Sequence, residues 1–141
     1  DDLETPALGW LLLACGLVLS LDDAGLAAAG RTTGGVKVDT VVIDRDGHNL
    51  FDGRRLLRSL MSYRIADAPA PVLANSVFES FGDFVADAIV RLLRARPAEV
   101  VVCAGDLLAE NPVLRGRIRR GLARLGLPVL FAEPSASAAI R

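Results

Sequence analysis

Two short apolar runs on either side of an arginine-studded stretch set the hydropathy pattern of this chain. Ala98-Glu99-Val100-Val101-Val102-Cys103-Ala104 ends at Gly105, and Val129-Leu130-Phe131 follows Gly126-Leu127-Pro128. Between them Leu114, Ile118, Leu122 and Leu125 recur at steps of four, four and three, which predicts a helix over 112–125 with one apolar face. Strand, helix and strand in this order predict a βαβ unit over 98–131 with parallel strands. The turn after the first strand is where such sheets bind ligands.

Upstream, the pattern is mostly helical. Pro6 to Leu19 carries no charge and predicts a buried helix, with Thr5 as N-cap and Pro6 in the first turn. Ser20 followed by Asp23 predicts a second cap, opening a short helix through Leu26-Ala27-Ala28-Ala29 that Gly30 ends. Residues 5–30 then form a helical hairpin. Arg31 to Gly35 is a loop by composition, and Gly34-Gly35 lacks the spacing of a phosphate-cradling loop.

Val38 to Ile43 is a strand candidate closed by Asp44-Arg45-Asp46-Gly47, in which Asp46-Gly47 signals a tight turn. His48, the only histidine, reads as a solvated loop residue just beyond it, with no second ligand nearby. Arg54 to Tyr63 places Leu56, Leu57, Leu60 and Met61 at helical spacing, an amphipathic surface helix. Ala66 to Pro71 connects. A longer helix starts at Asn75, where Ser76 and Glu79 match a capping box. Its expected buried stripe is Val77, Phe81, Val85, Ala88 and Leu92, with Asp83, Asp87, Arg91 and Arg94 facing away.

Composition narrows the function classes. At 141 residues and 52% hydrophobic content the chain reads as one domain, residues 1–141, with an α/β part over 36–131. A formal net charge of −1 supplies no field for nucleic acid or an anionic membrane, so neither is an expected partner. Arg115, Arg117, Arg119, Arg120 and Arg124 lack interleaved aromatics and read as a solvated face. The uncharged stretch of 14 residues at the N-terminus is short of the roughly 20 that span a bilayer, and Asp1, Asp2 and Glu4 have the wrong sign for a signal peptide. Cys15 and Cys103 sit in apolar surroundings and suit a reducing cytoplasm.

Ala104-Gly105-Asp106-Leu107-Leu108-Ala109-Glu110-Asn111-Pro112-Val113-Leu114-Arg115 resembles the Gly-Gly-Val-x-x-Asn-x-x-Leu-Arg turn of the carbamoyltransferases of the actin-like ATPase superfamily. Two members share that turn: the one that matures nickel-iron hydrogenases, and the one that makes threonylcarbamoyladenosine in tRNA. The upstream order, Ile43 to Gly47, Arg55 to Leu60 and the helix from Ser76, is closer to the hydrogenase-maturation member, as is the helical hairpin. The resemblance implies an α/β fold, a partial actin-like ATPase (RNase H-like) lobe with the hairpin followed by the βαβ unit.

The departures from that pattern decide what the resemblance implies for activity. Gly105, Asp106 and Asn111 mark a vestigial phosphate turn, because Asp106 replaces the glycine that lets backbone approach phosphate, and a carboxylate repels it. One extra residue separates the glycine from Asn111. After the second strand, Ala136 stands where the family has its metal-binding aspartate. The implied reading is a non-catalytic binding or assembly module in hydrogenase maturation, with no catalytic residue, metal ligand or cofactor. A homodimer or another protein chain, such as a hydrogenase maturation protein, would cover the missing-lobe surface. The alternative is half of an active carbamoyltransferase completed by a partner chain, which would bring ATP and a divalent metal.

Overall fold

The computed structural model describes residues 8–29, 34–38 and 42–132. The elements in order are α1 (Leu8–Leu19), α2 (Asp23–Ala29), β1 (Val42–Arg45), β2 (His48–Phe51), α3 (Gly53–Ile65), α4 (Ala70–Ala95), β3 (Val101–Cys103), α5 (Asp106–Glu110), α6 (Pro112–Leu122), a 3₁₀ turn (Ala123–Leu125) and β4 (Val129–Phe131). They group into two compact units, residues 1–80 and 81–141, with the division inside α4. The expected cap at Thr5 and Pro6, and Gly30 and Ala136, lie outside the described residues.

In the first unit α1 packs on α2 and α3. Cys15, Leu19, Leu26, Leu56, Leu60, Leu73, Val77 and Phe78 are buried in this unit. The helix hairpin is present, but its turn is built differently from the expected Ser20 cap. Ser20 takes the left-handed conformation with φ 58°. The Leu21 N–H reaches the Gly16 carbonyl at 2.8 Å and the Ser20 N–H reaches Leu17 at 3.2 Å, a Schellman ending of α1. Asp22 caps α2, accepting the Gly25 N–H at 2.7 Å.

Asp46-Gly47 makes the tight turn that its sequence signals, with φ 54° and 79°, as a two-residue hairpin loop requires. β1 runs past the expected end at Ile43 through Asp44 and Arg45 and pairs antiparallel with β2, Arg45 opposite His48, while residues 39–41 of the expected strand lie outside the described residues. His48 is therefore a strand residue and not a loop residue. The amphipathic helix is α3, capped by Asp52, which accepts from the Arg55 N–H at 3.1 Å. Met61, counted in its apolar stripe, is exposed.

Helix α4 begins five residues before the expected start, because a proline at the second helical position, Pro71, costs no intrahelical bond. Ser76 is thus mid-helix and not a cap. Its hydroxyl donates to the Val72 carbonyl at 2.8 Å and accepts the Val36 N–H at 2.8 Å, tying the loop at Gly35 to the helix. A Cβ on Gly35 would lie 2.9 Å from that hydroxyl and 2.7 Å from the Glu79 carboxylate, so a side chain there would have to displace them.

The second unit holds the parallel pair. β3 and β4 align Val101 with Val129, Val102 with Leu130 and Cys103 with Phe131. Ala86, Cys103, Leu114, Ile118 and Leu122 form its core, with Phe81, Val85, Ile89, Val101, Val129 and Phe131 packed against it. Leu92, expected in the stripe, is 60% exposed.

Glycines set the α4–α6 contact. A Cβ on Gly82 would lie 2.6 Å from Arg117 Cβ, and one on Gly121 would lie 2.5 Å from Ala86 Cβ. The two pairs step by four along both helices in the same direction, so α4 and α6 run the same way where they touch. Across this contact Arg117 donates to both oxygens of Asp83, Nε at 3.0 Å, which corrects the expectation that Asp83 faces away.

Candidate functional site

The sequence pointed to the turn after the first parallel strand, and the structure places Gly105, Asp106 and Asn111 in one short segment there. β3 ends at Cys103, and Gly105 turns the chain with φ 126° and ψ 147°, a region that side-chain-bearing residues avoid. The constraint is in the backbone alone, because a Cβ on Gly105 would meet nothing within 4 Å. Asp106 opens α5, a single five-residue turn of helix between β3 and α6. Its side chain is exposed.

Asn111 does different work. It is buried and extended, and its Oδ1 accepts the Leu114 N–H at 2.9 Å, so it is the N-cap of α6 with Pro112 in the first turn. The carbonyl of Gly105 accepts from the Ala109 N–H at 2.9 Å, and that of Leu107 from the Asn111 N–H at 3.0 Å. The turn therefore spends its polar groups on its own two helix ends. What it presents outward is a glycine with open space and the exposed carboxylates of Asp106 and Glu110.

The arginines of α6 are not one uniform solvated face. Arg117 pairs with Asp83, and the Arg119 guanidinium stacks 4.9 Å from the centre of the Phe131 ring, fastening α6 to β4. Arg120 and Arg124 are exposed. Among the described residues no three His, Cys, Asp or Glu side chains converge as a metal site.

Both thiols are free and buried. Desolvation pushes Cys15 from 9.0 up to about 12 and raises Cys103 as well. The folded chain thus holds Cys15 protonated at a pH where the unfolded chain releases the proton. The resulting stability is complete below pH 9 and is lost as pH rises through about 12. Denaturant unfolding between pH 8 and 11 is expected to show this loss. Cys15→Ala, although less stable throughout, should have a shallower decline.

No protein-family model matches the chain, and no curated protein matches it in sequence. A solved structure to which it is similar is component A of (R)-2-hydroxyglutaryl-CoA dehydratase from Acidaminococcus fermentans, with a TM-score of 0.57 and 17% identity. The match covers 88% of this chain and 42% of that one, so the chain spans less than half the length of the protein it resembles. That neighbour has the actin-like ATPase fold. The chain is accordingly a mixed α/β, mostly helical protein with a small parallel sheet, consistent with a partial actin-like lobe. No described helix is long and apolar enough to cross a membrane.

Proposed function

We propose that the chain is a degenerate, non-catalytic relative of a carbamoyltransferase C-terminal lobe, acting as a binding or assembly module in nickel-iron hydrogenase maturation. The observation that supports it best is Asp106. Its carboxylate stands next to Gly105 at the turn where phosphate would have to approach backbone. Asn111, the other residue of the vestigial turn, is accounted for by capping alone. The resemblance of 104–115 to the carbamoyltransferase turn supports the hydrogenase setting, and the two buried thiols suit a cytoplasmic one. In this reading the module works with a second copy or another maturation protein, and neither ATP nor a metal is its cofactor.

Calorimetry with ATP and magnesium tests the reading directly. The expected titration shows no saturable heat at micromolar nucleotide. Asp106→Gly, which removes the carboxylate, measures what that group costs. A micromolar dissociation constant in the unaltered chain, lost in a folded Gly105→Trp variant, would show a working cradle and overturn the pseudoenzyme reading in favour of half an ATP-dependent transferase.

A further inference from the structure

The α4–α6 contact has a charged flank, and the Asp83–Arg117 pair marks where it lies. On α6 and the 3₁₀ turn that ends it, Arg120 and Arg124 follow Arg117 at steps of three and four, so the three share one helix face. On α4, Asp87, Val90 and Arg94 follow Asp83 at steps of four, three and four and share another. Because Arg117 reaches Asp83, these two faces adjoin, and because the helices run the same way they stay adjacent toward both C-terminal ends. Val90 and Leu125, one step beyond the Ala86–Gly121 contact, both still pack against the core of this unit.

Carboxylates run out along this flank while guanidinium groups continue. Residues 88–98 and 111–132 contain no aspartate or glutamate. Arg94, Arg120 and Arg124 are exposed, and among the described residues none of the three is in an ion pair. Arg117 and Arg119 differ from them, one held by Asp83 and the other stacked on Phe131. Asp87 and Arg91, one turn apart on α4, offset each other in charge. Two helix C-termini together supply about one further negative charge, which three arginines exceed.

We infer that this flank docks an acidic segment of a partner polypeptide, its carboxylates held by Arg94, Arg120 and Arg124. The flank already displays that chemistry: Arg117 takes both oxygens of Asp83 through Nε and a terminal nitrogen, the planar fork that suits a carboxylate. From the level of Arg120 to Arg94 the strip is about 14 Å long, which an extended segment of about five residues matches. Nucleic acid fits less well, because it would extend past the strip over a chain whose net charge is −1, and no aromatic residue stands among 88–98 or 118–126 for bases to stack on. The proposal deepens the reading of the chain as a binding module, on which it rests, by naming the surface and the chemistry of the partner.

The test uses the full chain, labelled with nitrogen-15, and a short peptide alternating glutamate with glycine. The same peptide with glutamine in place of glutamate is the control. Saturable amide shifts confined to residues 87–96 and 117–126 are expected with the glutamate peptide, fading as salt rises, and none with the glutamine peptide. Arg120→Glu with Arg124→Glu should weaken binding about tenfold or more with the melting temperature retained, since both side chains are exposed. Arg54→Glu with Arg58→Glu, the same change of net charge made on α3, should leave the affinity within about twofold. No shifts, shifts elsewhere, or an equal response to the glutamine peptide would overturn the proposal. An equal loss from the α3 substitutions would overturn it too, because net charge alone would then govern the contact. So would a duplex DNA of matched charge binding more tightly than the peptide, which would give the strip to nucleic acid. ATP binding that Gly105→Trp removes and the Arg120, Arg124 substitutions leave intact would overturn the pseudoenzyme reading without moving any of these outcomes.

Discussion

Val101→Asp is expected to cost roughly 2–4 kcal/mol of stability, while Val102→Asp, one residue along the same strand, should cost well under 1 kcal/mol. Val101 packs against the apolar core of the second unit, so its replacement puts a carboxylate against a cluster of uncharged side chains. Val102 points the other way and is already mostly in water. Against a typical total of about 5–15 kcal/mol, the first change leaves a large unfolded fraction on mild heating and the second does not. Thermal unfolding of the two variants side by side is the measurement. Equal losses would mean that the β3 register, and with it the inward and outward faces of the sheet, is assigned wrongly.

That contrast was not legible in the sequence. The runs at 98–104 and 129–131 announced two strands, and their parallel pairing is what a βαβ pattern predicts. Yet both faces of each run are apolar, so period-two patterning gave no clue to which side meets the helices. Asp46-Gly47 was legible because a two-residue hairpin loop needs positive φ at both positions, and few residue pairs supply it. Its outgoing strand was missed, since His48-Asn49 reads as polar loop until the pairing with Asp44 and Arg45 is seen.

Other misreadings have one cause: a polar or breaking residue was assigned the local role it most often plays. Ser76 looked like a cap, but its partner is the Val36 N–H, forty residues away, which no local pattern shows. Pro71 looked like part of a connection, although proline is tolerated in a first helical turn. The candidate site shows the same ambiguity in a more useful form. Asn111-Pro112 is a cap and first-turn pair by elementary helix chemistry, so folding alone gives these two residues a role. Asp106 also has a local role, a carboxylate in the first turn of a short helix, where the positive end of the helix dipole favours it.

Gly116→Ala and Gly121→Ala, five residues apart in α6, are expected to move stability in opposite directions. Alanine is favoured over glycine in a helix interior by about 1 kcal/mol, because glycine has more backbone freedom to lose on folding. At Gly116 a new Cβ would meet nothing within 4 Å, so that gain is realised in full. At Gly121 the same atom would lie 2.5 Å from Ala86 Cβ, well inside contact distance and against a side chain that cannot rotate away. The helices must separate, which weakens the packing of Leu114, Ile118 and Leu122 beneath them; overpacking of this kind costs about 1–3 kcal/mol before the propensity gain is subtracted. Gly121→Leu should be worse still. A double-mutant cycle isolates the cause, because Ala86→Gly removes the opposing methyl and should restore much of what Gly121→Ala loses. If denaturant unfolding shows both alanine variants stabilised, or no coupling between positions 86 and 121, then α4 and α6 do not approach through these small residues and the second unit is packed differently.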